Sequence, residues 1–158
     1  MYLEEFSQGA SYTSPGVTVT EAQIIDFALQ FDPQPFHLDK EAAARSHFGG
    51  LIASGYHVLA LSFRLLLMTG VICAENSLGS WGIDEVRWLA PLRPGDTLTL
   101  VAEVRGIQPS TSRHDRGTVR LTCRAQNQHV DTVMTFTANQ LIRRIPRHVI
   151  PECNSCTG

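Results

Sequence analysis

Between Gly55 and Met68 the chain carries Val58, Leu59, Leu61, Phe63, Leu65, Leu66 and Leu67, so a helix over this range is apolar on almost every side. A helix that is hydrophobic all round cannot lie on a surface and has to be wrapped by other structure. The apolar run is broken by Ser62 and Arg64 and falls short of the roughly 20 residues that a membrane span needs. Ser54 is a candidate N-cap for this helix. The segment before it, Gly49-Gly50-Leu51-Ile52-Ala53-Ser54-Gly55, is built of small residues that let backbone come close to other backbone or to a ligand.

The wrapping material lies downstream. Residues 97–105 alternate with period two and place Leu98, Leu100, Ala102 and Val104 on one face. Val119, Leu121, Cys123 and Ala125 repeat the pattern, Met134, Phe136 and Ala138 mark another strand, and Ile83 to Leu89 a further one. Residues 9–19 read as a first strand. Arg93-Pro94-Gly95-Asp96 is a type II turn signal, and Asn127-Gln128 is expected to close a tight hairpin. Gln108 to Gly117, with Arg113, His114 and Arg116, reads as a long polar hairpin tip rather than a ligand loop. Short links of this kind imply an antiparallel sheet. The fold class is therefore α+β, an antiparallel sheet wrapped around a long central hydrophobic helix. Residues 1–145 are expected to form a single domain and 146–158 a loosely ordered tail.

Thirteen basic and fifteen acidic side chains give a formal net charge of −2. That balance argues against a nucleic-acid partner, which would need a basic face, and permits self-association. The start of the chain is acidic and lacks the apolar run of a signal peptide, so a reducing, cytoplasmic setting is expected, with no membrane partner. Cys153 and Cys156 form a C-x-x-C pair without redox-motif context or a second pair to complete a zinc site. They read as tail residues, and no metal or cofactor is expected.

Asp32-Pro33-Gln34-Pro35-Phe36-His37 sets two acid/base groups five residues apart across two prolines. In one continuous helix they would point about 140° apart. Thr20 and Gln23 make a capping-box pair for a helix that runs to Asp32 and must stop at the prolines. The turn that follows can bring Asp32 and His37 to one point, where a carboxylate and an imidazole can hold a water and move protons. The plainer alternative is a helix cap at Asp32 and a loop histidine at His37. Asp39 reads as the cap of a second short helix, Lys40 to Ser46, and His47 and His57 read as surface or packing residues.

These motifs, taken in order, resemble the MaoC-like acyl dehydratases, a family with the hotdog fold that includes the (R)-specific enoyl-CoA hydratases. The resemblance rests on Asp32…His37, on Phe48-Gly49-Gly50-Leu51-Ile52-Ala53-Ser54-Gly55, and on the run from Ile83 to Asp96, and it covers roughly residues 5 to 142. It implies an enoyl-CoA hydratase or 3-hydroxyacyl-CoA dehydratase acting on an acyl-CoA or acyl-carrier-protein thioester. It places the catalytic pair on Asp32 and His37 and substrate binding on Ser54 and the backbone N–H of Gly55, the oxyanion donor. It also implies a homodimer or dimer of dimers joined through sheet edges. One departure is Gln34, where the family's hydratase motif usually has Asn.

Two rival functions fit the same architecture. A hotdog thioesterase would usually draw a carboxylate from the central helix, and none lies between Gly55 and Gly70. A non-catalytic acyl-CoA-binding domain would not need both Asp32 and His37.

Overall fold

Thr20 opens the first helix as expected: its Oγ1 accepts from Gln23 N–H, while Gln23 Oε1 accepts from Thr20 N–H. The computed structural model describes residues 1–146, and the rest of the expected tail, with Cys153 and Cys156, lies outside the described residues. Helix α1 spans Glu21–Phe31, α2 Pro35–Leu38, α3 Lys40–Arg45 and α4 Gly55–Met68. Asp39 caps α3, accepting from the N–H groups of Glu41 and Ala42.

The strands are β1 Ser11–Thr13, β2 Val17–Thr18, β3 Ser77–Trp88, β4 Thr97–Pro109, β5 Arg116–Gln126 and β6 Thr132–Arg143. They form one sheet in the order β1-β4-β5-β6-β3, with β2 also paired to β4, and every pairing is antiparallel. The alternation read along 97–105 and 119–125 holds: Leu98, Leu100, Ala102, Val104, Val119, Leu121, Cys123 and Ala125 are all buried. Their face packs on Val58, Leu65 and Leu66 of α4 in one core that reaches from Leu3 to Ile142. Leu66 is fully buried, so Leu66→Ala should cost about 2–5 kcal/mol. This is the hotdog arrangement of a sheet around a central helix.

Several local expectations are corrected. The strand expected at 9–19 is broken by Ser14-Pro15-Gly16, where Pro15 has no N–H to donate to a ladder. Asn127-Gln128 does not close a two-residue hairpin; the connection runs from Asn127 to Asp131, with Val130 at φ 69. There Asn127 Oδ1 accepts from both His129 and Asp131 N–H, a side-chain-nucleated loop that outcompetes the tighter turn. Pairing at the β4–β5 tip extends to Pro109↔Gly117, so the expected long loop shrinks. Helix α4 is not covered on all sides within one chain: Tyr56 is 63% exposed, and Leu67 and Met68 are also exposed. Ile145, at the end of the expected domain, is held by its N–H to Glu4, beside an Arg144–Glu4 ion pair. The Arg93–Asp96 turn forms as read, with Asp96 N–H on Arg93 O and Gly95 at φ 88.

Strand β3 carries one irregularity with a long reach. Asp84 opposes Thr137 and Arg87 opposes Thr135, so three residues of advance on β3 match two on β6, with Glu85 at φ 55. One extra residue flips every later side chain to the other face of the sheet. Trp88 consequently pairs with buried Met134 and turns toward α4.

Candidate active site

Asp32 is the C-cap of α1, and Pro33 ends the helix there. Gln34 N–H turns back onto Asp32 O at 2.7 Å, and Pro35 takes the first position of α2, where a missing N–H costs nothing. That short helix was not anticipated; it rotates His37 inward until it is 3% exposed. The two groups meet, with His37 Nε2 3.4 Å from Asp32 Oδ2. A charge-assisted bond would be about 2.7–2.9 Å. The longer gap lets both atoms face one water.

Asp32 is held from both sides. Ser54 Oγ donates to Oδ2 at 2.6 Å, and Gln34 Nε2 donates to Oδ1 at 2.8 Å. Partial burial pushes the carboxyl's pKa up, but the Ser54 and Gln34 hydrogen bonds and the neighbouring His37 outweigh it and hold the group below its ordinary value. Ser54 also accepts from Tyr56 N–H, so the expected helix cap and the hold on Asp32 coexist in one hydroxyl.

His37 Nδ1 lies 2.8 Å from the carbonyl of Ile52. A carbonyl only accepts, so Nδ1 carries a proton, and Nε2 is the ring nitrogen turned toward Asp32. The pair can therefore take up a proton between Nε2 and the carboxylate. Ile52 itself is positioned by its N–H on Phe36 O, and Ala53 by its N–H on Leu92 O.

Gly55 is the first residue of α4, and its N–H has no partner among the described residues. Helix starts leave such groups free, with a positive dipole end. Asp32, His37 and Gly55 line one cavity of about 420 Å³, together with Gln34, Phe36, Phe48, Tyr56 and Trp88. Ser54 is fully buried behind it. Among the described residues no cluster of three or more His, Cys, Asp or Glu could hold a metal ion, and no helix is long and apolar enough to cross a membrane.

Of the residues set aside, His47 is exposed against Phe48. His57 is buried, stacked on Phe27 at 4.6 Å, and burial pushes its pKa down; it does not line the cavity. Reading the sequence missed three contributions: the Ile52 carbonyl that sets the His37 tautomer, the Gln34 amide on Asp32, and Trp88. Gln34 had a signal, its place inside the Asp32–His37 segment. The other two depend on long-range packing that no local spacing records.

Comparison with known proteins places the arrangement in context. The family model described as the MaoC like domain matches residues 5–127. The crystal structure of the MaoC-like dehydratase from Rhodospirillum rubrum is 42% identical, with a TM-score of 0.86 over 92% of this chain and 99% of that one. Protein YdeM of Bacillus subtilis is 31% identical over 144 residues, 91% of this chain and all of YdeM. The (R)-specific enoyl-CoA hydratase of Rhodospirillum rubrum is 31% identical over 114 residues, 68% of this chain and 72% of that enzyme. Other curated relatives are longer, and the chain spans 28% of one and 53% of another.

Proposed function

The chain belongs to the family of the MaoC like domain, whose members include hydratases and dehydratases, and from that premise we propose that it reversibly adds water across the 2,3 double bond of an enoyl thioester. The observation that carries the reading is the meeting of His37 Nε2 and Asp32 Oδ2 at 3.4 Å in a largely apolar cavity that Gly55 also lines. A similar protein is named for enoyl-CoA hydration, and acyl-CoA or an acyl-carrier-protein thioester is the substrate class proposed here.

Water held between Asp32 and His37 forms its new bond from oxygen to the β-carbon. The π electrons move onto the thioester oxygen as an enolate, and a proton taken by the pair returns to the α-carbon. The reverse sequence dehydrates a 3-hydroxyacyl thioester. Charge on the thioester oxygen is met by the Gly55 N–H, and a donor of this kind is typically worth about 3–4 kcal/mol. Ser54 and Gln34 keep Asp32 ionised and aimed, while Ile52 keeps the His37 Nε2 turned to the water side.

The proposal includes a homodimer built on β3. That strand pairs with β6 on one side only and displays Trp81, 72% exposed, with Ile83, Trp88 and Leu89 also exposed. It also includes residues 1–145 acting as one domain in the cytoplasm. Incubation of the protein with crotonyl-CoA, following loss of enoyl absorbance, is the direct test. Steady absorbance with crotonyl-CoA and with longer and branched enoyl-CoA analogues would leave the chain without the proposed activity.

A further inference from the structure

We propose that Trp88 is a positioning residue for the backbone donor at Gly55, a role that rests on the hydratase reading above. The indole Nε1–H donates to Gly55 O at 2.8 Å. The ring also occupies the space beside the Gly55 Cα: a Cβ built there would lie 2.7 Å from both Cε2 and Nε1. Gly55 is thus gripped at its carbonyl and against its Cα by one side chain, leaving the N–H as its free polar group.

This grip adds to the ordinary helical bonds of the first turn. The N–H of Tyr56 is bound to Ser54 Oγ and that of Val58 to Ser54 O, but Gly55 lacks a side chain and its backbone is the least restrained in the turn. An oxyanion donor works through pre-organisation: it must already point where charge develops. An indole bonded to the carbonyl and packed beside the Cα restricts the rotation of Gly55 about its own backbone, and so steadies the N–H on the other side of that Cα.

The strand delivers the indole deliberately. Without the extra residue at Glu85, Trp88 would fall on the opposite face of the sheet, away from α4. Beyond the bulge the strand end is held by Leu89 N–H on Val133 O, and the indole meets Tyr56 edge-on at 6.1 Å between centroids. Trp88 lines the same cavity as Asp32 and His37, so its face also forms a wall beside the thioester.

The test is Trp88→Phe, which keeps an aromatic wall, smaller than the indole, and removes the N–H donor. With crotonyl-CoA, kcat should fall about tenfold or more, a part of the hundred- to thousandfold that losing a whole donor costs. KM should move by less than about threefold and the melting temperature by a few degrees, a split that plain packing would not give. A kcat within twofold of wild type overturns the proposal. Should Trp88→Phe fail to fold, the Trp81→Phe protein leaves one indole N–H, whose hydrogen exchange reads the bond directly. Slowed exchange supports the tether, and exchange at the rate of a free indole overturns it. A wild-type protein that hydrates no enoyl thioester sinks the hydratase reading instead. The tether is then judged by the exchange measurement and by the change in Trp88 fluorescence when butanoyl-CoA is added to Trp81→Phe.

Discussion

Ser54 Oγ donates to Asp32 Oδ2 at 2.6 Å while accepting the N–H of Tyr56 at 3.2 Å, so one buried hydroxyl ties the end of α1 to the start of α4. The carboxylate and the helix that supplies the backbone donor are therefore set relative to each other by a single atom.

Replacing Ser54 by Ala removes both bonds. Loss of the cap alone should cost about 1 kcal/mol, a fall of a few degrees in melting temperature. The carboxyl contributes a second, pH-dependent part. Asp32 is held below its ordinary pKa in the folded protein, so the stability it contributes is complete above about pH 4, the unfolded value. That part is lost as the pH falls through the folded value. The stability gap between wild type and Ser54→Ala should thus be wider at pH 7 than at pH 3 in urea unfolding. A gap that does not change with pH would reduce Ser54 to a helix cap.

Asp32→Asn and His37→Ala test the proposed chemistry without touching the fold's core. Each should lower the hydration rate by about a hundredfold or more, the scale of a positioned acid or base. Circular dichroism should be unchanged. Near-native rates in both variants would remove the pair from the mechanism.

His57 offers a separate pH signature. It is buried against Phe27, its Nδ1 has no hydrogen-bond partner among the described residues, and burial lowers its pKa. The folded state thus favours the neutral ring. Its contribution is complete above the unfolded value, about 6.5, and is lost as the pH falls toward and through the lower folded value. His57→Phe keeps the stack and removes the titration, so the melting temperature of the variant should drop less between pH 7 and pH 5 than that of wild type. Parallel curves would show that His57 takes up its proton as readily in the folded chain as in the unfolded one.

The dimer is tested by mass. Sedimentation at micromolar concentration should give a species of about twice the 17.4 kDa chain, or a multiple of it. The exposed face of α4 and the unpaired edge of β3 are the surfaces that association would cover. A monomer with full activity would refute the assembly.

What could be read from the sequence was what neighbouring residues decide together. The Thr20–Gln23 capping box, the Asp39 cap, the Gly55 to Met68 helix and the alternation around Leu98 to Val104 rest on contacts within a few residues. The turn at Asp32–His37 was legible because two prolines exclude the helix that would separate those side chains. Features set by partners far along the chain were not legible. Pro15 breaks a strand only because β4 is its partner; the Asn127 loop is local, but it turns on a side chain outcompeting the tighter backbone turn, which spacing does not record. Trp88 meets Gly55 only after a bulge at Glu85 reverses the face of β3. The meeting of Asp32 and His37 was therefore visible, and the surroundings that hold them were not.

Gly55→Ala brings these threads together. A methyl at this position meets the Trp88 ring at 2.7 Å. Trp88 is 50% exposed and can swing outward, so the conformational cost of Ala at a helix start should stay below about 1 kcal/mol and the melting temperature should fall only a few degrees. The rate should fall further, with kcat/KM down about tenfold or more, because the displaced indole releases the Gly55 carbonyl and the N–H loses its aim. Combining Gly55→Ala with Trp88→Phe gives the decisive comparison. Residues in contact do not add, so the double variant should lose little more activity than the worse single one. Losses that simply multiply would mean that Gly55 and Trp88 act independently, and a rate that tracks stability in every variant would reduce Gly55 to a close-packing glycine.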